Sequence, residues 1–389
     1  MNSLEQRLAA TLAILKEKGL QRSLSLVERV CGTHIVMQGR ELVNFSSNDY
    51  LGLASHPALR EAALMAQGRF GYGATASRLI CGTTREHVLL EEELAACKKT
   101  EAALLFSSGF AAATGALPAL LQRGDVVILD KLAHASLIDG ARASDATVRV
   151  FRHNDLNHLE QHLCWARKHF PKGEILIVTE SLFSMDGDVA PLQEMVELKE
   201  RYSALLFVDE AHAIGVRGKA GQRMGGLVGE FGLVDRVDIQ MGTLGKAVGA
   251  SGGYLCGSRC LIDYLLHRAR SFIYTTAMPA SVAAAARAGV RIINDAEGEA
   301  LATSLWKNIH QLSHCLSKNL PQQPTGAILP LILGTEERAL EVSRQLLATG
   351  FFVPAIRYPT VPRGTARLRI TISAAHTLGQ INEIGLALS

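Results

Sequence analysis

From about residue 55 to residue 290, short apolar runs alternate with longer segments whose apolar residues recur at helical spacing. Strands that alternate with helices of about ten or more residues predict a mainly parallel sheet with helices on both faces. The pattern therefore predicts an α/β fold with a seven-stranded sheet. The predicted strands are 102–106, 125–129, 147–151, 175–179, 204–208, 239–242 and 253–257.

The pattern is different at the N-terminal end. Leucines recur at helical spacing among charged residues within 1–23, which predicts an amphipathic helix. Two short runs rich in β-branched residues, 28–37 and 41–45, follow and are separated by a polar turn. Their spacing predicts a small hairpin.

The C-terminal end mixes helices and strands. A long helix is predicted to end near residue 293, and the polar segment 294–298 marks a boundary after it. Beyond it, strands are predicted at 327–333, 351–356 and 366–372. Helices lie between them, and a final helix begins at Thr377, which predicts an α+β domain. The predicted divisions are an N-terminal segment 1–50, a large domain 51–291 and a C-terminal domain 292–389.

Composition excludes several classes of protein. The chain has 389 residues, of which 48% are hydrophobic and 20% charged, values typical of a well-packed globular protein. The net charge is only +3 and the basic residues are scattered, so no nucleic-acid partner is predicted. There is no run of 18 apolar residues, so no membrane span is predicted, and the charges near the N-terminus argue against a signal peptide.

The seven cysteines are odd in number and dispersed along the chain. This distribution predicts reduced thiols and a cytoplasmic location. Cys256 and Cys260 have no second pair of ligands nearby, so no metal site is predicted.

One lysine, Lys246, lies in the glycine-rich stretch 242–253, where the backbone can approach a ligand closely. Alone, it would be read as a solvated loop residue. Asp209 and His212, however, follow the apolar run 204–208 well upstream. An acid that holds a pyridine nitrogen protonated, a histidine that bonds the ring hydroxyl and a lysine that forms a Schiff base together predict a site for pyridoxal 5′-phosphate (PLP).

Polar residues follow several other predicted strands, at the sheet edge where ligands bind in such folds. The turn 107–110 opens a helix, so it could seat a phosphate or could be an ordinary N-cap. His134 could stack on the pyridine ring or could be structural. Ser184 could reach the cofactor or could be a turn residue. Arg367 and Arg369 share one face of a strand, and either one could clamp a carboxylate.

From about Asn44 to His376, the chain resembles the α-oxoamine synthases, PLP enzymes of fold type I that condense an amino acid with an acyl-CoA and release CO₂. The matching motifs are 44–53, 71–78 with Gly82 and His87, 106–112, 134–136, 209–212 and 243–246. Several long motifs in the same order make the resemblance specific.

The resemblance implies a role for particular residues. Lys246, His134 and Asp209 would be catalytic. The cofactor would contact Ser108, Gly109, Phe110, His134, Ser184, Asp209, His212, Thr243, Lys246, Thr275 and Thr276. The substrates would contact Arg22, Asn48, His134, Thr360 and Arg369. Thr275 and Thr276 would reach the phosphate of a neighbouring subunit, which implies a homodimer with shared active sites.

Three stretches, 184–191, 270–279 and 355–362, imply a particular reaction within the family. The substrates would be L-alanine and a pimeloyl thioester, either pimeloyl-CoA or pimeloyl-carrier protein, and the pathway would be biotin biosynthesis. There are two departures from the family pattern. Ala113 stands where asparagine is common, and Tyr358 replaces a usual proline in the loop that faces the acyl group.

Three other functions are compatible with parts of the pattern. The nearest is a sister enzyme that uses glycine, such as 2-amino-3-ketobutyrate CoA ligase. An aminotransferase is more distant. A non-catalytic partner subunit is disfavoured because Lys246, Asp209 and His212 are all present.

Overall fold

The computed structural model describes residues 2–17, 20–317 and 320–388. The strands are β1 Arg29–Cys31, β2 His34–Met37, β3 Arg40–Asn44, β4 Ala102–Phe106, β5 Val126–Asp130, β6 Thr147–Phe151, β7 Ile175–Glu180, β8 Leu205–Asp209, β9 Ile239–Thr243, β10 Gly253–Gly257, β11 Ile328–Gly334, β12 Phe351–Phe352, β13 Ala355–Ile356 and β14 Ala366–Thr371. The helices are α1 Ser3–Glu17, α2 Pro57–Phe70, α3 Arg85–Lys98, α4 Gly109–Leu120, α5 Ala135–Arg142, α6 Leu156–His169, α7 Leu192–Arg201, α8 Gly226–Glu230, α9 Arg259–Arg268, α10 Arg270–Ile273, α11 Ala280–Ile293, α12 Ala296–Cys315, α13 Glu336–Ala348 and α14 Leu378–Leu388.

The central sheet has seven strands in the order β4-β10-β9-β8-β7-β5-β6. The five strands from β9 to β6 are parallel, while β10 runs antiparallel to both of its neighbours. Every residue of β4, β5, β7 and β10 is buried, because helices cover both faces of the sheet. The predicted α/β fold with a mainly parallel seven-stranded sheet is confirmed.

The apolar core on one face of this sheet is built with small residues. Alanines at 112, 113 and 116 on α4 lie against the strands with no exposed surface. Their size lets α4 pack closely on the sheet and on α5. The N-terminus of α4 is thereby held at the carboxyl end of β4.

The N-terminal region differs from its prediction in one respect. The run 28–37 is not a single strand, because it turns back on itself at Gly32 and forms β1 and β2. Gly32 has a φ of 57°, a left-handed conformation that glycine adopts without steric cost. The predicted helix is present as α1, which has no buried side chain. Residues 1, 18 and 19 of its predicted span lie outside the described residues.

The predicted strand 351–356 is divided in two. β12 pairs in parallel with β3, whereas β13 pairs antiparallel with β14. Pro354 lies between the two segments and has no N–H to donate to a strand ladder, which explains the interruption. The other C-terminal elements lie within about two residues of their predicted positions.

Backbone contacts divide the chain into two compact units. The first contains Met1–Ser46 and Leu331–Ile370, and the second contains Ser47–Pro330 and Thr371–Ser389. Both units are therefore built from segments distant in sequence. The division into 1–50, 51–291 and 292–389 stays a prediction.

Within the described residues, no helix is both long enough and apolar enough to cross a membrane.

Candidate active site

The carboxyl ends of the parallel strands meet around a cavity of about 150 Å³ in the second unit. All three predicted catalytic residues, Lys246, His134 and Asp209, line it together. The remaining lining residues are Gly109, Phe110, Ser136, Glu180, Ala211, His212, Met241 and Thr243. Residues from five separate segments of the chain therefore converge at one place, as expected for the carboxyl edge of a parallel sheet.

A chain of hydrogen bonds leads away from Lys246. Its Nζ atom lies 2.7 Å from Nε2 of His212, and Nδ1 of His212 lies 2.6 Å from the hydroxyl of Tyr50. The Tyr50 hydroxyl is also 3.1 Å from Oδ1 of Asn48, to which it can donate. Tyr50 has no exposed surface. The lysine amine thus contacts the imidazole directly, and the buried tyrosine connects the imidazole to the predicted substrate ligand Asn48.

Asp209 ends β8 and is almost completely buried. Its Oδ1 atom accepts a hydrogen bond of 2.9 Å from the N–H of Ala211. Burial raises the pKa of Asp209, and the nearby Lys246 amine opposes the increase. A buried carboxylate of this kind is stabilised by a cationic group within a few ångströms of it.

Glu180 lies directly beside Asp209, since the two residues are paired in the register of β7 and β8. The backbone N–H groups of His134 and Ser184 donate to its carboxyl group, while Oε1 has no hydrogen-bond partner among the described residues. Burial raises the pKa of Glu180 well above its ordinary value, and the charge of Asp209 adds to the increase. Two buried carboxyl groups side by side fit a protonated ring nitrogen, so the site suits the pyridine ring of PLP.

The turn before α4 is held very close to the sheet. The Ser108 hydroxyl caps the helix and accepts from the N–H of Ala111 at 3.0 Å. A Cβ atom on Gly253 would lie 2.5 Å from the backbone of Ser108 and Gly109, so only glycine fits there. Ser108 is therefore an N-cap residue, one of the two interpretations of this turn. The first N–H groups of a helix have no partner within it, so the same turn can also hold a phosphate.

His134 is the N-cap residue of α5 and lines the cavity. Its Nδ1 atom accepts from the N–H of Ser136 at 3.2 Å and lies 2.8 Å from the Ser136 hydroxyl. Loss of hydration lowers the pKa of His134, although the charge of Asp209 opposes this. The ring is therefore neutral at neutral pH, and Ser136 fixes its orientation.

The other predicted cofactor residues have different surroundings. Thr243 lines the cavity, and its hydroxyl donates to the carbonyl of Gly252 at 3.0 Å. Ser184 is buried in the loop after β7 and does not line the cavity. Thr275 and Thr276 instead line a smaller cavity of about 20 Å³. The cofactor roles of these residues stay predictions.

Three predicted substrate residues, Arg22, Thr360 and Arg369, belong to the first unit. Arg22 and Thr360 are exposed, whereas Arg369 is buried on β14 together with Arg367. Neither arginine of this pair is solvated. Of the two departures from the family pattern, Ala113 is fully buried, and Tyr358 packs its ring under the Arg363 guanidinium at 4.3 Å.

Tyr50, Ser136 and Glu180 are site residues that the sequence analysis missed. For Glu180 a signal was present, because it immediately follows the predicted strand 175–179. A buried acid at the carboxyl end of a parallel strand is costly unless it is hydrogen-bonded or paired, so its presence indicates a polar site there. For Tyr50 the only signal was its place in the polar turn that also carries Asn48.

The sheet and the lysine, aspartate and histidine at its carboxyl edge define a PLP-dependent transferase of fold type I. The chain belongs to the aminotransferase class I and II family, whose model matches residues 40–387. Within this family, the resemblance to the α-oxoamine synthases is confirmed by near full-length similarity to 8-amino-7-oxononanoate synthases.

Three known proteins show how close these similarities are. The chain is 46% identical to an 8-amino-7-oxononanoate synthase from Geobacter sulfurreducens over 372 residues, which cover 95% of this chain and 93% of the relative. A structure of a lysine-to-alanine variant of serine palmitoyltransferase from S. paucimobilis, with a bound PLP–myriocin aldimine, is similar with a TM-score of 0.92 and 30% identity, over 100% of this chain and 97% of the other. The 8-amino-7-oxononanoate synthase of Francisella tularensis is similar with a TM-score of 0.74 and 28% identity, over 89% and 96% of the two chains.

Proposed function

We propose that this protein is a PLP-dependent acyltransferase that condenses L-alanine with a pimeloyl thioester. The products are 8-amino-7-oxononanoate, CO₂ and the free thiol of the carrier, and the reaction is a step of biotin biosynthesis. The observation that carries the proposal is the near full-length similarity to an enzyme named for this product. The convergence of Lys246, Asp209, His212 and His134 on one cavity supports it.

The site residues fit PLP, with Asp209 at the ring nitrogen, His212 at the ring hydroxyl and the turn 108–110 at the phosphate. PLP, when bound, supplies an electron sink that stabilises negative charge at the Cα atom of the amino acid. The carboxylate of Asp209 holds a proton at the ring nitrogen. The buried Tyr50 hydroxyl lies 2.6 Å from Nδ1 of His212 and fixes the orientation of that ring.

The lysine and the histidine act on the substrates. The Nζ atom of Lys246 accepts the Cα proton of alanine and later returns a proton to the same carbon. A bond then forms between Cα and the acyl carbonyl carbon, the thiol of the carrier leaves, and the alanine carboxylate departs as CO₂. His134, neutral at neutral pH because of its lowered pKa, covers the ring and can donate a hydrogen bond to the acyl carbonyl.

The remaining assignments concern the substrates. Asn48 and Arg369 bind the carboxylate of alanine, and Arg22 and Thr360 contact the acyl donor. This donor is pimeloyl-CoA or pimeloyl-carrier protein, which present the same thioester to the enzyme. Ser184 and Thr243 complete the cofactor site.

The proposed assembly is a homodimer in the cytoplasm. Thr275 and Thr276, which do not line the cavity of their own chain, contact the cofactor phosphate of the partner subunit. The seven cysteines are free thiols, which supports a reducing compartment.

The central test combines one variant with product analysis. Lys246→Ala should fold normally and lose the formation of 8-amino-7-oxononanoate from L-alanine and pimeloyl-CoA, because no other amine lines the cavity among the described residues. Lys219→Ala, which changes an exposed loop lysine, is the matched control. Product formation by Lys246→Ala at the wild-type rate would refute the assignment.

Substrate tests with wild-type enzyme separate the alternatives. A product formed only with glycine would indicate the sister activity. Conversion of PLP to its pyridoxamine form by an amino acid alone would indicate an aminotransferase.

A further inference from the structure

His153, just beyond β6, bridges two carboxylates outside the cavity. Its Nδ1 atom lies 2.9 Å from Oδ1 of Asp130, and its Nε2 atom lies 2.7 Å from Oδ2 of Asp188. A carboxylate accepts hydrogen bonds and cannot donate them, so both ring nitrogens must carry protons. The Asp130 side chain is fully buried, and that of His153 is only 23% exposed.

The bridge is ionic at neutral pH. Burial by itself would lower the pKa of His153, but the hydrogen bonds and charges of Asp130 and Asp188 raise it to about 10. The imidazole is thus a permanent cation under physiological conditions. None of the predicted roles in the reaction uses it.

Neighbouring groups reinforce both ends of the bridge. The N–H of Asn154 donates to Oδ2 of Asp130 at 3.0 Å, and its side-chain amide donates to Oδ2 of Asp188 at 2.9 Å. Asn154 has a φ of 54°, a left-handed conformation that only a few non-glycine residues tolerate. The ring of Phe183 packs edge-on against His153, with centroids 4.4 Å apart. The left-handed turn at Asn154 and the buried ring of Phe183 both lie against this one contact.

The two carboxylates belong to different loops. Asp130 ends β5 and also accepts from the N–H of Leu132 at 2.7 Å, in the loop that leads to His134. Asp188 lies in the loop 181–190, which carries Ser184 and is closed by a bridge between Leu182 and Val189. His153 therefore links the loop of His134 to the loop of Ser184.

The same loops are linked a second time, next to the cavity. The carboxyl group of Glu180 receives the backbone N–H groups of both His134 and Ser184. Because the two loops are joined both by the His153 bridge and by Glu180, they cannot shift independently of one another. The outer link is the one that can be changed without touching any residue of the cavity.

We propose that His153 is a positioning residue for the reaction, because the Asp130–His153–Asp188 bridge fixes the two loops that present His134 and Ser184. This inference rests on the proposed function. His153 acts through those loops and does not itself contact the cofactor or the substrates.

The test compares His153→Gln with His56→Gln, which alters a histidine paired with Glu297 elsewhere in the same unit. The apoprotein of each is titrated with PLP, and steady-state kinetics follow. Loss of the bridge should raise the PLP dissociation constant and lower kcat, each on the order of tenfold, since displacements near 1 Å have effects of this size or larger. The KM for alanine should stay within about twofold, because Asn48 and Arg369 are outside both loops.

Asp188→Asn provides an independent variant, and imidazole added to His153→Ala should restore part of the PLP affinity. Equal PLP affinity and kcat in wild type and in both bridge variants would overturn the proposal. If His153→Gln does not fold, the Asp188→Asn and imidazole experiments decide. Failure of wild-type protein to make product would refute the proposed function, while the PLP titration would still test the bridge.

Discussion

Tyr50 has no exposed surface, and its hydroxyl lies between Nδ1 of His212 and Oδ1 of Asn48. The Nδ1 atom of His212 is held by this contact, so the opposite ring nitrogen, Nε2, faces Lys246 at 2.7 Å. Tyr50 therefore orients the imidazole toward the lysine. At the residue scale, this contact determines how the predicted site residues act together.

Tyr50→Phe should lower kcat by about tenfold, because His212 loses the contact that orients it. The variant should also lose about 1 kcal/mol of stability, since a buried hydrogen bond is removed without leaving a cavity. Kinetics and thermal unfolding measure both effects. Tyr264→Phe, which removes a hydroxyl that donates to Ala119 far from the site, is the control. Equal kcat in Tyr50→Phe and wild type would contradict this role.

Gly253→Ala should weaken PLP binding and destabilise the fold by about 1–3 kcal/mol. The added methyl group would lie 2.5 Å from the backbone of Ser108 and Gly109, which cannot move aside without displacing the phosphate turn. PLP titration and denaturant unfolding measure the two consequences. Gly68→Ala on α2, where nothing lies within 4 Å, should be neutral or stabilising. A Gly253→Ala protein that behaves like Gly68→Ala would contradict the tight packing.

Sequence reasoning at this scale succeeds where position along a strand carries the information. Lys246, Asp209 and His134 follow buried runs, so the shared edge of a parallel sheet brings them together. Tyr50 was missed because its partner His212 is 162 residues away, and the sequence pattern does not record which distant side chains meet. Glu180 was missed although its strand was predicted, because the strand was ended one residue too early.

At the scale of elements, the seven strands of the central sheet were predicted to within about one residue. Each is a short run rich in apolar residues, and all except the edge strand β6 are almost entirely buried, which leaves few other interpretations. The two errors have local causes. Gly32 turns the backbone within a run whose apolar residues continue, and Pro354 divides 351–356 into strands of different sheets. A pattern of burial identifies strands, but it does not identify their hydrogen-bonded neighbours.

The His153 bridge predicts a specific dependence of stability on pH. The pKa of His153 is raised from 6.5 to about 10, so the folded protein binds this proton more tightly than the unfolded chain. Its contribution to stability is fully present below about pH 6.5 and is lost as the pH rises through 10. The free energy of unfolding should therefore differ most between wild type and His153→Gln at pH 6 or below. Urea unfolding across this range measures the difference, and a difference independent of pH would contradict the assigned protonation.

At the scale of the whole molecule, only the family resemblance pointed to a homodimer, because neither composition nor the hydrophobic pattern indicates an assembly. The exposed Thr276 and partly exposed Thr275 mean little in one chain, because the groups they are proposed to contact belong to a partner subunit. The two compact units were likewise not predictable from the sequence pattern. Residues 1–46 and 331–370 form one unit, yet nothing in the hydrophobic pattern of either segment indicates the other.

Mixing two inactive variants tests the shared site. Lys246→Ala lacks the reactive amine, and the double variant Thr275→Val, Thr276→Val lacks the proposed partner contact. A heterodimer of the two contains one site with every native residue, so unfolding and refolding an equal mixture should restore about a quarter of wild-type activity. Activity no higher than that of the separate variants would show that each site is formed by a single chain.

The pairing of β12 with β3 has a consequence for synthesis on the ribosome. The Ser46 hydroxyl donates to the carbonyl of Phe352, which lies 306 residues later, and β3 has no strand on that side until β12 is made. Throughout most of translation β3 therefore has an unpaired edge, which can pair with other nascent chains. A chain released before residue 351 should therefore be prone to aggregation. Sedimentation of stalled chains that end before β12, compared with chains that end after it, would measure the difference. The late synthesis of this short strand thus sets the moment at which the edge of β3 is protected from pairing with other chains.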